Sequence, residues 1–160
     1  GLQIIRAAEL VEKGYRVEEI LEDSKKFRKK VNASFVVDNL TFLHRGGRCS
    51  GITALFGNKL KMKLEIVVTD GKMGVGKKYR GSQKNVILKY ITDQKEELLK
   101  ADSARIFITH SGCPDEIIME AKEYLENLNV FKEIVITRAG GVISSHCGPN
   151  TLGILYIRNH

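Results

Sequence analysis

Tryptophan is absent from this chain of 160 residues, which holds two prolines and three cysteines. Cysteines in odd number at scattered positions (Cys49, Cys113, Cys147) exclude a disulfide framework. No Cys-x-x-Cys pair occurs, and neither His110-x-x-Cys113 nor the adjacent His146-Cys147 has the spacing of a zinc site, so no metal is expected. Long apolar runs are also missing. Nothing approaches the length of a bilayer span, and the start (Gly1-Leu2-Gln3-Ile4-Ile5-Arg6) lacks the layout of a signal peptide, so a cytoplasmic chain is expected. Aromatic residues are few, five tyrosines and six phenylalanines, and no nucleic-acid reader motif appears. Acidic residues are outnumbered 19 to 26 by lysine and arginine, for a formal charge of +7. That excess favours an anionic partner without choosing which.

What is present suits a single domain over residues 1–160 with a sizeable core. Apolar spacing predicts helices over 2–13, closed by Gly14, and over 17–31. A strand is expected at 33–37, a helical turn at 40–44 and a short helix at 53–56. Residues 62–69 read as a strand turning at Asp70-Gly71 into a returning strand near 74–79. Ser82 is the expected N-cap of a helix to about Leu99, and Pro114 opens another that runs to Asn127. Short apolar runs at 104–109, 133–137 and 152–158 complete the strands. Strands alternating with helices, plus one hairpin, predict an α/β fold: a mixed sheet with helices packed on its faces. The first residue is Gly1, on a helical pattern, and the chain is expected to be a domain of a longer protein. Part of a cleft would then lie elsewhere.

Two segments stand out for chemistry. Residues 140–153 combine glycines, Ser144, Ser145 and His146 in a turn-rich stretch, and glycine lets a backbone come close to a ligand. Residues 35–50 place Arg45 and Arg48 around the Gly46-Gly47 corner, where a guanidinium can grip a carboxylate or phosphate, or can instead pair with Asp38. Together they point to an anionic ligand. Gly71-Lys72-Met73-Gly74-Val75-Gly76-Lys77-Lys78 imitates a nucleotide phosphate loop, but Lys78 stands where Ser or Thr would bind magnesium, and the stretch follows a hairpin turn. Cys147 beside His146 makes a poor catalytic pair, and a small buried hydrophobe is the plainer expectation. The lysines at 59, 61, 63, 72, 77 and 78 with Arg80 fit a protected sheet edge better than a nucleic-acid surface.

At these residues the chain resembles the C-terminal domain of the DegV family of bacterial fatty-acid-binding proteins. The likeness runs nearly end to end: Ala7-Ala8 with Gly14, Phe35-Val36-Val37-Asp38, Leu43 with Gly46-Gly47-Arg48, Asp70-Gly71, Arg80-Gly81, and His146-x-Gly148-Pro149 with Leu152-Gly153. It departs from the family pattern at Leu64, where a proline is usual, and at Cys147, where a threonine is common.

The resemblance implies a carrier with no catalysis of its own and no cofactor, whose ligand is a long-chain fatty acid. A separate fatty-acid kinase would phosphorylate the carried acid for phospholipid synthesis. By position, His146 with Ser145 and Arg48 falls at the head group, and Arg48 and Arg80 at a phosphate or kinase contact. Hydroxyls from an N-terminal domain, before Gly1, would complete the site. Tail-pocket walls are expected from Ile52, Leu55, Phe56 and Leu60. Each buried methylene contributes about 0.8 kcal/mol, so about a dozen supply on the order of 10 kcal/mol before entropy losses. The tail therefore gives affinity and the head group gives placement. The alternative carried forward is a basic module that binds nucleic acid or a regulatory protein.

Overall fold

The computed structural model describes residues 1–47 and 62–159. Arg48, Ile52, Leu55, Phe56 and Leu60, and the short helix expected at 53–56, lie outside the described residues.

The chain opens with a helical hairpin, α1 (Leu2–Glu12) and α2 (Val17–Phe27). Gly14, at φ +79, lets its own N–H reach the Val11 carbonyl and the N–H of Tyr15 reach that of Leu10, which closes α1 as a Schellman motif. Strand β1 (Val31–Val37) leads into α3 (Thr41–Arg45). After the undescribed segment, β2 (Lys63–Thr69) and β3 (Lys72–Tyr79) form a hairpin. Its corner residues Asp70 and Gly71 both have positive φ, 51° and 76°, as a tight two-residue turn requires. The glycine-lysine stretch is thus a hairpin arm and no phosphate loop.

Then come α4 (Gln83–Thr92), α5 (Lys95–Leu99), β4 (Arg105–Ser111), α6 (Asp115–Asn127), β5 (Glu133–Arg138), α7 (Gly141–Cys147) and β6 (Thr151–Ile157). The strands form one mixed sheet in the order β3-β2-β1-β6-β4-β5, with β4 and β5 parallel and the other pairs antiparallel. The expected α/β class is the observed one.

Three local expectations need correcting. Helix α2 stops at Phe27, because Val31 already pairs with Ile157 in the sheet. The helix expected over 82–99 is two, broken after Thr92, although Ser82 does cap the first by accepting the Asn85 N–H at 3.3 Å. The turn-rich stretch at 141–147 is a helix.

Alternation along β1 divides the sheet's faces. On one face Val36 joins Ile106, Ile108, Leu152, Ile154 and Tyr156 against Val86, Ile87, Tyr90 and Ile91 of α4 and Ile117, Ile118, Ala121 and Leu125 of α6. This is the main core. At its centre the buried Tyr90 hydroxyl lies 2.8 Å from the Ser34 carbonyl, to which it donates, and accepts the Ile154 N–H at 3.2 Å. The opposite face is covered at its two ends. Leu2, Ile5 and Phe27 pack on Phe107, Val31 and Ile157 at one end, and Leu43 of α3 packs on Val37, Leu64 and Ile66 at the other. Between these ends Ala33, Phe35 and Leu155 stay half-buried.

Candidate functional site

One end of the sheet collects the chemistry. The carboxyl ends of β1, β3, β4 and β5 and the starts of β2 and β6 lie there, and so do α3, α7 and the turn into α4. Helix α7 carries His146 in its last turn and docks on α3 through glycines. A Cβ placed on Gly46, which closes α3, would collide with His146 Nδ1 and stand 2.7 Å from its Cε1. A Cβ on Gly148, which closes α7 at φ +78, would lie 2.8 Å from Phe42 Cγ. Each helix thus sets an aromatic ring over the other's terminal glycine. The His146 ring is half-buried, with Nδ1 buried and unpartnered, which leaves the Nε2–Cδ2 edge directed away from Gly46.

The other expected site residues are placed unequally. Ser145 is exposed and its hydroxyl donates to the Val142 carbonyl at 2.8 Å, so it retains lone pairs but no free proton for an anion. Arg80 is exposed at the end of β3. The turn that follows is tied toward α7, because Gln83 Nε2 donates to the Asn150 carbonyl at 2.5 Å. Asp38, a possible partner for Arg48, is held by Lys63, whose side chain is only 14% exposed. Lys63 is therefore an internal ion-pair partner and no part of a basic surface. Cys147 is buried, and burial pushes its thiol above the ordinary range, so it is no ready nucleophile.

Ser111 and Thr151 brace the loop after α7 by donating to the carbonyls of Gly148 and Cys147, the latter at 3.0 Å. Sequence reasoning weighed His110 only as a metal ligand and did not single out Arg138; the two lie side by side at the ends of β4 and β5. It also missed a cavity of about 570 Å³ at the far end of the sheet, floored by Val31, Ala33 and Val68 and walled by Gln3, the cations Arg28, Lys29 and Arg158, and Thr69 with the Asp70-Gly71 turn. Among the described residues no cluster of His, Cys, Asp and Glu is arranged to hold a metal, and no helix is long and apolar enough to cross a membrane.

Among the described residues, one face of the sheet is covered throughout and the other at its two ends, with His146 beside one of those ends. The chain belongs to the DegV family: the model of "Uncharacterised protein, DegV family COG1307" matches residues 1–159. A DegV domain-containing protein of Clostridium perfringens is 32% identical over 160 residues, covering 100% of this chain and 56% of that protein. Among solved structures, a fatty-acid-binding DegV family protein from Thermus thermophilus superposes with a TM-score of 0.86 at 26% identity, over 99% of this chain and 56% of that one. A DegV lipid-binding protein from Thermotoga maritima gives 0.79 at 26% identity, over 99% and 55%. The chain spans about half the length of these relatives.

Proposed function

We propose that this chain is the tail-holding part of a fatty-acid carrier, and that His146 donates a hydrogen bond to the carboxyl end of the bound acid. The observation that carries the reading is the placement of His146 at one end of a sheet face that the described residues cover at its two ends. From Val37 beside α3 to Val31 at the cavity, β1 runs about 20 Å at some 3.3 Å per residue, which suits a long extended acyl chain. Half-buried Ala33, Phe35 and Leu155 floor the path between. Apolar contact along it supplies the affinity. The imidazole supplies placement, because an unpaired carboxylate enclosed away from water is costly. Family membership and the titles of the Thermus and Thermotoga proteins support a lipid as the cargo.

In this reading a further domain completes the cleft and adds hydroxyls to the head-group site. Two observations support it. The relatives are nearly twice as long, and α7 presents Val142 and Ile143 to solvent at 73% and 57% exposure directly beside His146. The protein acts in the cytoplasm as a carrier that catalyses nothing itself, handing its acid to a kinase that phosphorylates the carboxyl group. Arg48 and Arg80 then meet the phosphate or the kinase. The family resemblance at Gly46-Gly47-Arg48, Arg80-Gly81 and His146 supports that partner.

Part of the basic excess is neutralised locally. Arg6, Lys84, Lys89, Arg105 and Lys122 are engaged with acids, which makes a surface of mixed charge. The test is lipid extraction from the purified natural protein followed by mass spectrometry. Stoichiometric long-chain fatty acid is expected, with much weaker retention by residues 1–160 alone. Absence of fatty acid from the natural protein would refute the reading.

A further inference from the structure

The carboxyl ends of β4 and β5 carry two basic groups that the lipid reading does not use. These strands are parallel, and their register sets His110 directly beside Arg138. His110 follows Ile106 and Ile108 at alternate positions, so both basic residues belong to the face packed by α6. From β4 the chain passes into α6 and out to β5. From β5 it passes through α7 and back to β6, on the other side of β4. Connections that diverge from neighbouring strand ends open a crevice there, and such crevices are where open α/β sheets take ligands.

Neither group is in a salt bridge among the described residues. Arg138 makes no ion pair or side-chain hydrogen bond among the described residues. His110 Nδ1 is buried without a partner. Asp115 of α6 is the acid that acts on His110, and its pull is smaller than the opposing effects of burial and of the Arg138 charge. Gly112 follows β4 at φ +75, and a Cβ there would be 3.8 Å from Arg138 Nη2, so bare backbone and guanidinium border the same small space. Helix α6, 13 residues long, begins there. Its first intrahelical N–H bond is that of Ile117 to the Pro114 carbonyl, which leaves the N–H groups of Asp115 and Glu116 without a helical acceptor.

We propose that this crevice is a second ligand site, one that takes the phosphate group of a small molecule between the Arg138 guanidinium, the His110 imidazole and the leading N–H groups of α6. An unpaired charge, an orphaned ring nitrogen and free N–H groups lie at the adjacent ends of three elements, a donor set that suits a tetrahedral dianion better than a planar carboxylate. The site is separate from the head-group position. His146 leans on α3, which covers the opposite face of the sheet.

The experiment is an NMR titration of the protein with inorganic phosphate at constant ionic strength, with a parallel acetate arm. Saturable shifts are expected at the Gly112, Asp115 and Glu116 amides and the His110 ring, together with a higher His110 titration midpoint. Arg138→Ala should weaken phosphate binding at least tenfold, and Arg138→Lys should restore part of it. His110→Gln serves as the second variant if Arg138→Ala fails to fold, and should weaken binding severalfold. Absence of saturable shifts, equal response to acetate, or affinity unchanged by these substitutions would each overturn the proposal.

Discussion

His146 rests on Gly46, 100 positions earlier in the chain: the Nδ1–Cε1 edge of the ring occupies the space a side chain at Gly46 would need. Gly148 receives Phe42 in the reverse sense, so α3 and α7 hold one another by paired ring-on-glycine contacts. The contact fixes which edge of the imidazole can meet a ligand.

Gly46→Ala should therefore displace the His146 ring and cost about 1–3 kcal/mol, the usual penalty of overpacking. Thermal or urea unfolding measures the loss, and the His146 ring resonances should move in the folded variant. A variant with wild-type stability and unshifted ring signals would show that the contact is not tight.

Tyr90→Phe should cost about 1–3 kcal/mol, because the Ser34 carbonyl and the Ile154 N–H lose a buried partner while the ring volume is kept. Urea unfolding with an unchanged m-value is the check. The site should be unaffected at temperatures where the variant is folded.

Burial, then the Arg138 charge, lowers the His110 pKa below its ordinary value, while Asp115 on α6 acts the other way. The unfolded chain thus binds this proton more readily than the folded one. Stability should fall as pH drops below about 6.5, the unfolded histidine value, and level off below the folded midpoint. Arg138→Ala should raise the His110 midpoint and flatten this slope. Unfolding free energies measured between pH 5 and pH 8 test it.

Burial raises the thiol pKa of Cys113 to about 11 and raises that of Cys147 as well. Both should resist a thiol reagent in the native state and react only as fast as the chain opens, as read by peptide mapping. Rapid native labelling of Cys147 would mean that α7 does not stay docked.

Residues with strong backbone demands were legible in the sequence. Asp70-Gly71 announced the hairpin because few pairs accept two positive φ values, and Gly14 announced the end of α1. Helix α7 was hidden, since Gly141, Ser144, Ser145 and His146 are weak helix formers; packing on α3 outweighs that preference. The break between α4 and α5 carries neither Gly nor Pro. At that corner Asp93 accepts from Lys89 four positions earlier and from Tyr79 at the end of β3, and the second contact leaves no local pattern. His146 was singled out in the sequence, but its seat on Gly46 was not legible there, because a helix–helix contact leaves no local pattern. His110 and Arg138 became neighbours only once the parallel register was known.

The most direct measurement is the carbon NMR signal of a carboxyl-labelled long-chain fatty acid bound to the natural protein, compared with the His146→Ala variant. A bound carboxyl resonance distinct from that of free acid is expected, shifting on loss of the imidazole while the tail stays bound. A bound signal identical in both proteins would contradict the placement of His146 at the head group.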